Sequence, residues 1–561
     1  MESCSAYASR VNARRAPWLT AALAAVLWAV AHVVVHSARG WPMNVVGEWD
    51  LLLTALAIAA GDAPDAAIGT LHGHEAGSWL VAWLVALPLR FGVDAVTAGK
   101  WVATAFGAGS AATVAWLAAR LARDTARGAW LAGGTAAVLM AAAWPGLHFE
   151  LQGVNGRTPE ALLFQLLAVA GAVAMGPERR WLAGLGIGAS LGVAWLLSPV
   201  ALWTAAVVGL VAAWSAARDG VASSATPGAA LAAGIVLPLV LFAVLVPGGS
   251  EGIRLFLNEQ LGGGLGVAPS EADRLWLGVL GKVAAALEGG AHNPDLRLRP
   301  LVLAALGWGC LVAAAAALGR LRVDRRDPAA LAGLVALSWL APLAVLPQGT
   351  WFYPLAYRYW VLTLALGFAL GPGLLAARGR VGIVGCGLLL VASLAVVPSL
   401  PRSIVAPAAT RAEALVSSGA HRMNGRPGRD RHATFAALHS HVASADRPAL
   451  AEGYGLTLGG DFAIDLHDGV DTEPAWRTVD LAPDVRAAFL FGVGCGVTAV
   501  GEVHPGAVDA FAAADPADAY ALWSGLRRCG GPVPEGALDG RPLRSQVSDP
   551  ASLNPPRPLP P

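Results

Sequence analysis

Charged residues are scarce in this chain. Of its 561 residues, 14% are Asp, Glu, Lys or Arg and 56% are hydrophobic. This balance is too apolar for a soluble globular protein of such length. The formal net charge of +1 gives no electrostatic reason to expect nucleic acid as a partner. The composition therefore predicts a membrane protein.

Cysteine is also rare, with five residues in the whole chain. Cys310 and Cys386 fall inside apolar runs and Cys4 lies near the N-terminus, so these three are most simply unpaired. Cys495 and Cys529 lie in the polar C-terminal part. A disulfide could join them if that part is outside the cytoplasm.

Long apolar runs dominate the first 400 positions. They have about 17 to 22 residues each, the length at which an α-helix crosses roughly 30 Å of hydrocarbon. The first extends from Trp18 to about His36 and follows several arginines. Because Lys and Arg beside a span stay mainly on the cytoplasmic side, residues 1–17 are predicted to be a cytoplasmic tail.

One apolar run is too short to cross. Ser78 to Leu89 has about 12 residues and is closed by Pro88 and Arg90, so we predict an interfacial or re-entrant helix. If it does not cross, the basic turns after the later spans all fall on the cytoplasmic side. About 11 transmembrane helices result: Trp18–His36, Ala98–Ala119, Gly128–Gly146, Glu160–Gly176, Trp181–Leu197, Val200–Ala217, Ala229–Val246, Pro300–Leu318, Ala329–Leu346, Tyr359–Ala376 and Val381–Val397.

This topology divides the chain into three parts. Residues 1–17 precede a transmembrane domain of residues 18–398, whose extracytoplasmic loops include residues 37–97 and 247–299. Residues 399–561 then form an extracytoplasmic C-terminal domain of about 160 residues, enough for one small domain.

The positions of glycine and proline are the basis for predicting the structure of this C-terminal domain. Leu450–Gly455 and Val485–Gly494 resemble short strand or helix pieces that end at glycine, so a small α/β or irregular domain is predicted. Its Pro-rich end, Pro555–Pro561, cannot hold a helix and is predicted to be disordered.

Acidic residues gather in the first loop. Glu48 and Asp50 stand just before the apolar run Leu51–Ala60. A carboxylate there could act as a general base, worth roughly 10²–10⁴-fold in rate. The two residues would diverge by about 200° on a helix but would share a face in an extended loop. Alternatively, both are solvated charges that anchor the exit of the first helix.

Two histidines and an acid follow in the same loop. His72, His74 and Glu75 could bind a substrate or a divalent ion. Glu75 could instead cap the short helix that starts near Gly77. There is no third spaced ligand in this segment, so a metal is left open and no cofactor is certain.

The layout resembles the GT-C membrane glycosyltransferases, specifically the protein O-mannosyltransferase and aminoarabinose transferase-like branch (glycosyltransferase family 39-like). The resemblance rests on Gly47-Glu48-Trp49-Asp50, the run Leu51–Ala60 and Gly61-Asp62. The family commonly has an adjacent Asp-Glu pair where this chain has Glu-Trp-Asp. Whether Glu48 or Asp50 is the base therefore stays open.

The resemblance also implies substrate-binding residues, namely His72, His74 and Glu75 in the first loop and then Arg157, Glu160 and Arg358. Arg157 would hold a phosphate oxygen, Glu160 would orient the acceptor or the donor sugar, and Arg358 would pair with the phosphate of the donor. Each has a plainer interpretation: Thr158-Pro159-Glu160 suits a helix start, and the aromatic residues beside Arg358 suit an interfacial belt.

The function implied by the resemblance is inverting transfer of a sugar from a polyprenyl-phosphate donor to an acceptor glycan, lipid or protein on the outer face of the membrane. The alternative is a non-enzymatic protein, either a lipid-linked sugar translocase or an inactive GT-C-like scaffold. A transporter is expected to have ionisable residues near mid-bilayer, and the predicted spans have few. The alanine-rich composition favours a bacterial inner membrane, with the N-terminus cytoplasmic and the C-terminus extracytoplasmic.

Overall fold

A computed structural model gives the structure of this protein. It describes residues 4–37, 43–44, 48–61, 78–122, 124–143, 147–148, 151, 153–154, 158–174, 180–198, 201–218, 221–246, 248–254, 300–320, 327–339, 356–397, 408–423, 431–470, 472–540, 542–548 and 550. Within these ranges the chain is mainly α-helical, and its one sheet is a single pair of two-residue strands.

The helices of the N-terminal part follow the apolar runs of the sequence. In chain order they are α1 (Cys4–Ser37), α2 (Glu48–Ala60), α3 (Ser78–Leu89), α4 (Ala95–Leu121), α5 (Ala126–Ala142), α6 (Thr158–Ala174), α7 (Arg180–Leu197), α8 (Ala201–Arg218), α9 (Val221–Leu245), α10 (Pro300–Gly319), α11 (Pro328–Ser338), α12 (Ala356–Ala376) and α13 (Arg380–Val396). Strand β1 (Met43–Asn44) lies between α1 and α2.

Most predicted spans therefore coincide with helices to within a few residues. Helices α1 and α9 begin well before the predicted runs. Helix α11 covers only the first part of the predicted span Ala329–Leu346, because residues 340–355 lie outside the described residues. The helix predicted at Ser78–Leu89 is confirmed with those bounds.

Three helices in the described part contain a segment long and apolar enough to cross a membrane: Arg15–Ser37, Ala95–Leu121 and Gly228–Leu245. The larger number of about 11 spans stays a prediction. An outward row of large apolar side chains supports membrane placement. Val30 of α1 and Val244 of α9 are 57% and 75% exposed, and such surfaces are stable in lipid rather than water.

Small residues bring the apolar helices together. Helices α7 and α9 cross where Gly188 and Gly234 face each other's backbone, and an added Cβ at either position would overlap a carbonyl oxygen of the other helix. Membrane helices use small residues in this way because close backbone approach supplies the packing that drives their association.

The C-terminal part is a helical domain, which corrects the prediction of an α/β or irregular fold. After strand β2 (Ala408–Ala409), the described residues form α14 (Arg411–Met423), α15 (Arg431–His441), α16 (Arg447–His467), α17 (Pro483–Gly496), α18 (Pro505–Ala512) and α19 (Pro516–Arg528). Leu450–Gly455 and Val485–Gly494 are parts of α16 and α17, so glycine does not end either segment.

The physical reason is that these glycines lie at helix crossings. A Cβ on Gly455 of α16 would overlap the carbonyl oxygen of Phe489, and a Cβ on Gly492 of α17 would overlap the carbonyl oxygen of Glu452. Glycine weakens a helix by roughly 1 kcal/mol relative to alanine. Here tight packing of α16 against α17 outweighs that loss.

A disulfide joins the ends of α17 and α19. Cys495 and Cys529 are bonded, with their Cα atoms 5.3 Å apart. The pairing that the sequence left open is therefore present in the structure. Disulfides persist in oxidising compartments, which agrees with an extracytoplasmic C-terminal domain.

The C-terminal domain is joined to the N-terminal part at two places. Strand β1 pairs antiparallel with β2, with Met43 opposite Ala409. Helices α14 and α15 pack on α2, which also contacts α3 and α4. The first loop and the start of the C-terminal domain therefore lie on the same side of the helical bundle.

Glu452 is a buried carboxylate inside the C-terminal domain. Its side chain is 0% exposed. Burial raises the pKa of Glu452 to about 7, against the opposing effect of hydrogen bonds from Ser545 and Gln546. The folded state therefore favours the protonated carboxyl, and the resulting stabilisation is lost as the pH rises.

The close packing at Gly455 can be tested by substitution. We expect Gly455→Val to destabilise the C-terminal domain by about 3 kcal/mol or more, because the helices must separate to admit the side chain. Ala517→Val is the control, since Ala517 is exposed on α19. Thermal unfolding of the purified proteins measures both. Equal stability of Gly455→Val and wild type would contradict the packing account.

The pH dependence of Glu452 gives a second prediction. Its contribution is fully present below about pH 4.5, the unfolded value, and is lost as the pH rises through about 7, up to roughly 3 kcal/mol. Glu452→Gln should remove this loss, whereas Glu473→Gln, at an exposed position, should not. Chemical unfolding from pH 4.5 to 8.5 measures the difference. The same pH slope in wild type and Glu452→Gln would contradict it.

Candidate functional site

One face of α1 carries aromatic and imidazole side chains into the bundle. Trp28, His32 and His36 are spaced by four residues, which places them on one side of the helix. All three are fully buried. His148, from the segment between α5 and α6, stacks on Trp28 with ring centroids 4.1 Å apart and an interplanar angle of 5°.

Hydrogen bonds join these rings to each other and to the backbone. His148 Nε2 donates to the Ala141 carbonyl at 2.8 Å. In a neutral ring its Nδ1 then accepts, so His32 Nδ1 donates to it at 3.1 Å. His36 Nε2 donates to the His148 carbonyl at 3.1 Å. The cluster thus ties the end of α1 to the segment before α6.

A buried ion pair lies close to this histidine cluster. Lys100 Nζ of α4 is 2.6 Å from Glu48 Oε1 at the first residue of α2, and the two side chains are 4% and 0% exposed. Lys100 also lies near enough to His32 and His36 to interact with both electrostatically. The pair places an acid and a cation together in buried surroundings, next to the histidine cluster.

Glycine makes room for the Glu48 carboxylate. A Cβ on Gly153 would overlap the carboxyl carbon of Glu48, so the segment before α6 packs its bare backbone on this group. The next residue, Val154, is fully buried and would lie 3.3 Å from a Cβ added at Gly99, next to Lys100. Elements α2 and α4 and this segment together enclose the pair.

The structure places some of the predicted site residues and leaves others undescribed. Glu48 is buried in the ion pair. Asp50 belongs to α2 as well, so the two acids lie on a helix rather than in an extended loop. Glu160 is buried in the first turn of α6. Arg358 lies in the first turn of α12.

Six positions cannot be placed in the site. The side chains of Asp50 and Arg358 lie outside the described part of the structure. His72, His74, Glu75 and Arg157 lie outside the described residues altogether. In the parts of the chain that are described, no group of three or more His, Cys, Asp or Glu could hold a metal ion. The roles given to these residues stay predictions.

Lys100 is the residue that sequence reasoning missed. It is one of only two lysines in the sequence, beside Lys282, and it stands alone among apolar residues. An isolated ionisable residue within a membrane span is itself a signal for a functional or paired site. Its partner could not be named from spacing, because Glu48 is 52 residues away along the chain.

Comparisons with known proteins give only weak likenesses. No family model matches the sequence, and no curated protein matches it. Among solved structures, the archaeal oligosaccharyltransferase AglB from Archaeoglobus fulgidus, in complex with an inhibitory peptide and a dolichol-phosphate, is similar at 12% identity and a TM-score of 0.47. The apo form of the Archaeoglobus fulgidus oligosaccharyltransferase is similar at 13% identity and a TM-score of 0.46.

Both likenesses cover 74% of this chain and 59% of the other chain. The matched region therefore spans about three fifths of the length of those enzymes. At such scores and identities the likeness establishes neither a shared fold nor a shared activity.

The ion pair can be tested by a double-mutant cycle. Lys100→Met should destabilise the protein by about 3–5 kcal/mol, because it leaves the Glu48 carboxylate buried without its counter-ion. Glu48→Gln with Lys100→Met should recover most of this loss. Thermal unfolding in detergent measures the cycle. Additive effects of the two substitutions would contradict a direct pair.

Proposed function

We propose that this chain is a membrane glycosyltransferase that moves a sugar from a polyprenyl-phosphate donor to an acceptor hydroxyl, with inversion. The observation that carries the proposal is the Glu48–Lys100 pair, 2.6 Å between Oε1 and Nζ, enclosed at the start of α2. The sequence resemblance to GT-C glycosyltransferases points independently to Glu48 or Asp50 as the base.

The two charges suit the two ends of a displacement reaction. Glu48 takes the proton of the acceptor hydroxyl while that oxygen forms a bond to the anomeric carbon. The bond from that carbon to the phosphate oxygen breaks, and the electron pair leaves on the phosphate. Lys100 compensates the charge of the departing phosphate, a role that the sequence gave to Arg157 and Arg358. One displacement inverts the anomeric centre.

The surroundings support this assignment. The outward apolar faces of α1 and α9 place these helices in a lipid bilayer. The lipid chain of a polyprenyl-phosphate donor would lie in the same bilayer. The C-terminal domain packs on α2, so an acceptor would approach from the side on which that domain lies. The disulfide Cys495–Cys529 supports the proposal that this side is the extracytoplasmic face of a bacterial inner membrane.

One observation favours the non-enzymatic alternative. Glu48 is fully buried, and Gly153 packs against it. A substrate can therefore reach Glu48 only if the Glu48–Lys100 ion pair separates or if the substrate binds to both charged groups. A lipid-linked sugar translocase or an inactive scaffold needs no such opening. Buried Lys100 and His32 also give the helices more ionisable groups than the sequence indicated, and such groups occur along transport paths.

Donor turnover by the full-length protein in liposomes tests the proposal. The probes are short-chain polyprenyl phosphates bearing single sugars, supplied with an envelope extract as acceptor, and the readout is release of the polyprenyl phosphate. Glu48→Gln should lower the release of polyprenyl phosphate at least about 100-fold, which is the effect of losing a general base. Asp50→Asn tests whether the second candidate acid contributes to the same step. Glu535→Gln, at an exposed position, is the control.

The outcomes separate the two functions. Sugar-dependent release that requires Glu48 supports transfer. Full activity of Glu48→Gln, Asp50→Asn and the double variant would remove the proposed base. No release from any donor, together with movement of a labelled donor across the bilayer, would instead establish the translocase.

A further inference from the structure

A segment near the C-terminal end of the chain packs across the C-terminal domain. Residues 542–548, here called the strap, form neither helix nor strand. The strap follows Gly536 and Gly540, whose φ angles of +81° and +124° turn the chain back after α19. It lies against α14, α16 and α19, as its hydrogen bonds show.

The centre of the strap is held by one buried carboxylate. Ser545 Oγ donates to Glu452 Oε1 at 2.5 Å, and the backbone nitrogen of Gln546 donates to Glu452 Oε2 at 2.8 Å. In the described part of the chain, both oxygens of Glu452 thus have their donors in the strap. The next residue, Val547, is 7% exposed and packs into the core.

Other bonds hold the backbone on both sides of this centre. The nitrogen of Leu543 donates to Ser524 Oγ at 3.1 Å, and Arg528 donates to the carbonyl oxygen of Ser548. Both partners belong to α19. Ser548 Oγ donates to Glu413 of α14 at 3.4 Å.

This arrangement has the features of a peptide-recognition groove. Helices supply a donor and acceptors for the backbone of a bent segment, in which the nitrogen of Val547 also donates to Ser545 Oγ at 3.0 Å. One carboxylate selects a hydroxyl side chain, and one apolar pocket takes the side chain two positions later. Without the strap, Glu452 would lose the hydrogen bonds that its two oxygens accept from Ser545 and Gln546, which is unfavourable for a polar group in an apolar interior. The groove therefore favours occupation by a segment with the same groups.

We propose that the groove between α14, α16 and α19 is a binding site for a bent Ser-x-Val segment, occupied here by the chain's own strap and able to take the same segment from a second copy of the chain. Ser545 is the selective contact and Val547 the apolar anchor. The site lies apart from Glu48 and Lys100, and it does not rest on the proposed glycosyl transfer.

Peptide binding to the chain without its strap tests the proposal. The protein is the chain ending at residue 541, and the probe is a fluorescent peptide of residues 541–550. We expect saturable binding by fluorescence anisotropy. The Ser545→Ala peptide should bind about tenfold more weakly, because the hydrogen bond to the buried Glu452 side chain is lost. The Leu543→Ala peptide is the control, since that side chain is 37% exposed.

The proposal is overturned if the shortened chain keeps its helical signal but does not bind the peptide at millimolar concentration. Equal binding of the wild-type and Ser545→Ala peptides would also overturn it, because Glu452 would then select nothing.

A second pair of variants covers the case in which the shortened chain does not fold. In the full-length protein, Val547→Asp should release the strap, while Leu543→Asp should not. We expect faster hydrogen exchange at residues 542–548 and uptake of the wild-type peptide in Val547→Asp only. A strap that stays protected in Val547→Asp, or an exposed strap without peptide uptake, would contradict the proposal.

Discussion

The structure depends on a short apolar helix, α2, most of whose described side chains are buried. Leu51, Leu52, Leu53, Ala55 and Ile58 of α2 are all 3% exposed or less, although the helix has only 13 residues. Helices α3 and α4 cover one part of it, and α14 and α15 of the C-terminal domain cover another. An apolar helix of this kind is stable only when both parts of the protein enclose it.

This burial explains why a charge pair sits where it does. Glu48 is the first residue of α2, at the positive end of the helix dipole, which suits a carboxylate. Packing of Leu52 against Gly99 sets the distance between α2 and α4, and Lys100 follows directly. Buried charges of this kind are tolerated only in good geometry with a partner. The proposed chemistry and the joining of the two parts therefore rest on the same helix.

Much of the helical framework could be predicted from apolar run length alone, as the match at Ser78–Leu89 shows. Glu48 could be selected because it stands beside an apolar run near the exit of the first helix. Its partner Lys100 could not, since their contact depends on how α2 and α4 pack. The C-terminal domain was predicted wrongly for a similar reason: glycines such as Gly455 disfavour a helix locally, but helix packing requires them. The stacking of His148 on Trp28 could not be predicted either, because the two residues are far apart in the sequence.

The claim that the first loop and the C-terminal domain enclose α2 from one outer side is tested most directly by a cysteine pair. Met43 and Ala409 stand opposite each other in the β1–β2 pair, at a spacing that a disulfide can bridge. With Met43→Cys and Ala409→Cys together, the account predicts a spontaneous disulfide in intact cells that a membrane-impermeant reductant opens. Failure to form it, or opening only after the membrane is permeabilised, would contradict the account.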